Sequence, residues 1–214
     1  MKKSLLAAAG FALALTGCSS EGELDLSSGV GVNVVRSGCP IVGVPEGLGD
    51  ITTFRSAASQ NFSDLDVVAD ITNVRGSCNE SGAQIYSQVE YDVQARRYDT
   101  RAARQVTLPT FSVVTQGGSA VVAKRVGQIT INFAAGQERA STRATATAYV
   151  DAAAATIPDD IRERITRTRK AGDADAALDP LAQPDVRAAI ARATFEHLVG
   201  FQLTEDQLRY NVTR

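Results

Sequence analysis

Three cysteines and one histidine in 214 residues carry most of the reactive chemistry this chain can offer. Cys18 closes Leu15-Thr16-Gly17-Cys18, behind Lys2, Lys3 and the uncharged run Leu5–Leu15. Thr16 and Gly17 are small enough for a peptidase pocket. The apolar run has the length of a secretory core and falls short of the roughly 20 residues that a spanning helix needs. Cys39 and Cys78 remain. Two cysteines in an exported, oxidising setting predict one disulfide, and they lack the C-x-x-C spacing of a redox pair.

The leader resembles the bacterial lipoprotein signal. It implies removal of residues 1–17, acylation of Cys18 (palmitate among the chains attached) and a membrane anchor at the new N-terminus. Ser19 follows the cysteine where an Asp would signal inner-membrane retention, which points to the outer membrane, facing the periplasm. Residues 18–37 read as a Ser- and Gly-rich tether. Within it, Val30–Val35 has the valines of a short strand and the glycines of a mobile one.

His197 is the only histidine, so a nucleophilic triad and the common His-rich zinc sites lack parts. On a strand it is expected to be packed or hydrogen-bonded. Neither a G-x-S-x-G nor a P-loop pattern occurs, and Asp173, Asp175 and Asp179 lack the spacing of a calcium loop. No catalytic residue, metal ligand or cofactor is expected. A net charge of −2 argues against nucleic acid as partner, and the absence of Trp against an aromatic sugar platform.

Two basic stretches are the candidate partner-binding surfaces. Arg96, Arg97, Arg101 and Arg104 read as a polar connection between strands. Arg162, Arg164, Arg167, Arg169 and Lys170 crowd a helix. Both could meet an envelope protein or anionic lipid headgroups. The competing expectation is a solvated face neutralised by Asp99, Asp159, Asp160 and Glu163.

The elements that position these residues follow from hydrophobic period. Ile85, Ser87, Val89, Tyr91 and Val93 alternate with Gln88, Glu90 and Asp92, the period of a strand with one wet side. Further strands are expected at 40–45, 65–74, 106–115, 120–133 and 195–203, with Gln116-Gly117-Gly118-Ser119 as a hairpin turn. Residues 144–150 read as strand or, given their alanines, helix. Pro109 argues that its strand is an edge or bulged one. Ile157, Ile161 and Ile165 recur at helical spacing, a second helix starts at Pro184, and Thr204-Glu205-Asp206-Gln207 opens one helical turn.

This pattern predicts a mainly β fold: an antiparallel immunoglobulin-like β-sandwich, one domain over 38–212, with a small helical insertion at about 157–193 before the last strand. Val199-Gly200-Phe201-Gln202-Leu203-Thr204 with Leu208-x-Tyr210-Asn211 resembles the C-terminal end of a group of uncharacterised proteobacterial envelope lipoproteins. Cys39-Pro40 and Leu108-Pro109-Thr110-Phe111 match that group too. The resemblance implies a lipid-anchored envelope protein and no activity. The expected role is a non-catalytic binding or envelope assembly-accessory module. A small-ligand or lipid carrier, with its pocket between sheet and helical insertion, is the alternative.

Overall fold

A computed structural model of the chain describes residues 37–56, 59–167, 169–170, 172–173, 175 and 178–213. The strands are β1 (Ile41–Gly43), β2 (Asp50–Phe54), β3 (Leu65–Asn79), β4 (Gln84–Arg97), β5 (Arg104–Gln116), β6 (Ala120–Phe133), β7 (Arg139–Asp151) and β8 (Phe195–Phe201). Helices α1 (Asp159–Thr166) and α2 (Pro184–Arg192) lie between β7 and β8 in chain order, and α3 (Glu205–Thr213) follows β8. Among the described residues no helix is long and apolar enough to cross a membrane.

The strands form two four-stranded sheets, ordered β1-β8-β5-β6 and β2-β3-β4-β7. All pairings are antiparallel except the short parallel one of β1 on β8. One buried cluster draws Val67, Ala69, Val89, Tyr91 and Val93 from the second sheet and Leu108, Ile129, Ile131, Val199 and Phe201 from the first. Each large apolar side chain removed from water there contributes roughly 1.5–3 kcal/mol.

Period two explains most of this placement. Ile85, Ser87, Val89, Tyr91 and Val93 are all buried, as the alternation requires, and the same phase runs on through Ala95 to Arg97. β8 lies between β1 and β5, and Phe195, His197, Val199 and Phe201 point into the core. Residues 144–150 belong to a strand, β7, paired along its whole length with β4.

Four expectations need correcting. Pro109 sits in an interior strand, because β5 pairs with both β6 and β8. Its carbonyl accepts from Gln202 N–H, so its missing N–H faces the side of β8, beyond Phe201 where that strand has ended. The bond forgone is the reciprocal one to the Gln202 carbonyl, past the end of β8. The strand expected over 65–74 runs on to Asn79, and its inward phase breaks after Ile71. Asn73 takes a left-handed φ of 54°, and the register with β4 shifts between Thr72 and Arg75. β2 was not expected at all. Finally α3 is longer than one turn; it opens on the expected capping box, Thr204 N–H to Gln207 Oε1 and Gln207 N–H to Thr204 Oγ1.

The two lateral sides of the sheet pair differ. On one side Cys39 and Cys78 join the chain just before β1 to the end of β3, and Val42 of β1 packs on Gly76 of β3. A Cβ at Gly76 would lie 2.8 Å from Val42 Cγ1, so this close approach requires glycine. On the other side stand β6 and β7. There Ile129, Ile131 and Phe133 are buried, but residues 120–128 of β6 are exposed on both faces.

Candidate functional site

The disulfide expected from cysteine count is present, with Cα atoms 6.0 Å apart across a sequence separation of 39. Cys39 N–H donates to Ser37 Oγ and to Glu80 Oε1, both at 3.1 Å, which fixes the chain end entering β1. Glu80 thus stands beside two sulfurs that are bonded to each other and offer no thiolate to a metal. Cys18, its leader and the tether up to residue 36 lie outside the described residues.

The arginines were expected to make two surfaces. The structure distributes them differently. Arg96 and Arg97 belong to β4 and Arg104 to β5; only Arg101 lies in the connection. Arg97 is 1% exposed, on the inward phase of β4, so it is no part of the surface. Its guanidinium donates to the carbonyls of Gln137 (2.7 Å), Ala102 (2.6 Å), Ala134 (2.7 Å) and Thr100 (3.3 Å), and stacks over the Phe133 ring. A planar fork of five donors suits that task, gathering the β4–β5 and β6–β7 connections around one cation.

The remaining arginines are exposed or half-buried and are met by acids. Arg96 pairs with Glu138, Arg101 with Asp99 and Arg104 with Asp66. Arg101 holds the Asp99 carboxyl well below the usual carboxylate range, through side-chain and backbone hydrogen bonds. Around α1, Arg162 pairs with Asp159, Arg164 with Asp185, and both Arg167 and Arg169 reach the one carboxylate of Asp175. Asp185 is lowered by its hydrogen bond from Arg164. Asp66, Glu138, Asp175 and Asp185 were not among the expected neutralising groups.

The two basic stretches do not come together. Arg96 pairs with Arg139 at one end of the β4–β7 ladder, whereas α1 follows Asp151, which is opposite Gln84 at the other end. Each touches an open polar depression. One of about 390 Å³ includes Asp70, Gln94, Arg96 and Arg139. The other, about 470 Å³, is lined by Asp160, Glu163, Arg164, Arg167, Arg169 and Asp175. Acids and bases alternate in the second, and both lack the apolar lining of a carrier's pocket.

Inside the fold His197 is packed and hydrogen-bonded, as expected, to two serines that sequence reading did not assign to it. His197 is 0% exposed; its Nδ1 lies 3.0 Å from Ser87 Oγ and its Nε2 2.8 Å from Ser112 Oγ. β8 supplies the imidazole, β4 and β5 one serine each. A neutral ring donates from one nitrogen and accepts at the other, so the two hydroxyls satisfy it completely. Burial lowers its pKa from the ordinary value of 6.5, keeping it neutral. A serine and a histidine at this distance have the geometry of a nucleophile and base. Here, however, they stand on ladder-paired strands in a packed interior, and their hydrogen bonds knit the two sheets. Nearby, burial raises the Tyr91 pKa, opposed by a hydrogen bond with Thr110. Phase places both partners inward, Ser87 in step with Ile85 and Val89 and His197 with Phe195 and Val199, but does not say that they meet.

One surface keeps unused binding capacity. β6 is the terminal strand of its sheet and pairs only with β5. Val121, Val122 and Val126 are 64%, 54% and 64% exposed. Lys124 Nζ lies over the Phe111 ring, 5.3 Å from its centroid, and neither Lys124 nor Arg125 has a carboxylate partner among the described residues. Comparison with family models, with curated proteins and with solved structures finds no match.

Proposed function

We propose that this chain is an outer-membrane lipoprotein, lipidated on Cys18 and facing the periplasm, whose domain is a non-catalytic binding or envelope assembly-accessory module. In this reading the two sheets form an immunoglobulin-like sandwich, and α1 and α2 are a helical insertion before its last strand. The leader motif supports the anchor. One structural observation carries the binding role: the buried Arg97 and His197 are matched internally, exposed arginines of both basic stretches meet acids, and residues 120–128 of β6 remain open. Unpaired strand edge and exposed valine are features of a docking surface.

Two measurements test the reading. Cells expressing the full-length chain should incorporate labelled palmitate, and Cys18→Ala should abolish it. Crosslinking in intact cells, followed by mass spectrometry, should return a reproducible envelope partner. An unlabelled chain would remove the anchor, and a clean monomer without partner would remove the binding role.

A further inference from the structure

Resting on that reading, we infer that the open edge of β6 binds an extended, acidic segment of a partner protein by adding it as a strand to the β1-β8-β5-β6 sheet. Register makes the edge specific. Pro109 directs its carbonyl to β8, so even-numbered β5 residues turn their backbone groups to β6, at Thr110–Gly127, Ser112–Arg125 and Val114–Ala123. The alternate residues, Lys124, Val126 and Gln128, therefore turn N–H and C=O outwards. No described strand accepts them. This row can pair with any extended backbone.

Side chains narrow the partner. A second copy is disfavoured, because an antiparallel pair of β6 strands with its twofold centred on this exposed stretch would bring the Lys124–Arg125 pair of one copy against that of the other. Paired like charges on an edge are a device that natural sheets use against self-association. An incoming strand with carboxylates beside these two cations meets them without displacing an acid of this chain. Val122 and Val126 share the face of Lys124, two residues to either side, and are exposed, while Arg125 lies on the opposite face. The matching ligand is thus a strand with two adjacent acids, one for each face, and apolar residues two places to either side of the acid that meets Lys124, supplied by a protein.

The test uses the purified full-length chain and a short synthetic peptide with the core Val-Glu-Glu-Thr-Val, capped at both ends, with the same peptide carrying Lys in place of both Glu as control. The acidic peptide should bind and slow amide exchange at Lys124, Val126 and Gln128. Two variants separate backbone from charge. Val126→Pro removes one outward N–H on an edge where proline is tolerated. K124E/R125E reverses the charge. Each should weaken binding about tenfold or more with the melting curve unchanged, an effect near 1.4 kcal/mol. Equal binding of both peptides, binding unaffected by either variant, or exchange protection elsewhere overturns the assignment. So does a change of oligomeric state in place of peptide binding. An in-cell partner that maps away from β6 would end this inference and leave the binding-module reading standing; no partner at all would end both.

Discussion

Arg97 and His197 are the residues whose surroundings most constrain them, and both are held by the protein's own atoms. Replacing Arg97 by Met strips donors from the carbonyls of Gln137, Ala102, Thr100 and Ala134, at a site nearly closed to water. The expected cost is about 3 kcal/mol, read as a lower urea midpoint. Arg97→Lys should recover only part of it, since an ammonium cannot reach all four carbonyls in one plane. An unchanged midpoint would mean that those carbonyls are served by water. His197 makes a prediction in pH. Its folded pKa lies below the ordinary 6.5, so as pH falls the unfolded chain takes up the proton first. Stability should therefore be lost as pH drops below about 6.5, until the lower folded pKa is reached. His197→Gln should flatten that window in pH-dependent melting. The lowered carboxylates Asp92, Asp99 and Asp185 act below their ordinary value of 3.8, so their loss begins at lower pH than that of His197. His197 was legible as a packed or hydrogen-bonded residue, whereas Arg97 was read as part of a surface connection. Alternation from Val89 through Val93 and Ala95 reaches Arg97 in phase, yet a run of arginines reads as surface because charge ordinarily stays in water.

At the scale of elements, the strands with one strict phase were readable and those with a local exception were not. β4 and β8 alternate without interruption. β3 changes phase at Asn73, a left-handed residue whose side-chain amide donates to Asp92, and nothing in the apolar pattern announces that shift. Pro109 misleads because the effect of a missing N–H depends on which neighbour it faces. β2 is short, and its Thr52-Thr53 centre carries little hydrophobic signal, although Ile51 and Thr52 are buried. The disulfide was legible from count and compartment, whereas its mechanical place was not: it ties the entry to β1, in one sheet, to β3 in the other. Cys39→Ala with Cys78→Ala should lower stability by about 4 kcal/mol in the chain-entropy model for a loop of this length. β1 keeps its pairing with β8, so the variant should still fold, with the loss read from urea denaturation. A loss near zero would show that the reduced chain holds β1 against β3 without the bond.

The whole molecule is asymmetric about its core. One side is stapled by the disulfide and by the contact of Val42 on Gly76; the other leaves half of β6 uncovered. An anchor at Cys18 would set that open edge loose near a membrane, within reach of envelope proteins. Charge points the same way, because the basic stretches that looked most reactive in sequence are matched by acids, and Lys124 and Arg125, inconspicuous in a valine-rich strand, are not. The most direct measurement is a photo-activated crosslinker placed at position 126 of the full-length chain in intact cells, with position 149 on the outer face of β7 as reference. The account predicts one reproducible envelope adduct from position 126, lost in the K124E/R125E background. No adduct from position 126, or one that persists undiminished when both charges are reversed, would contradict it.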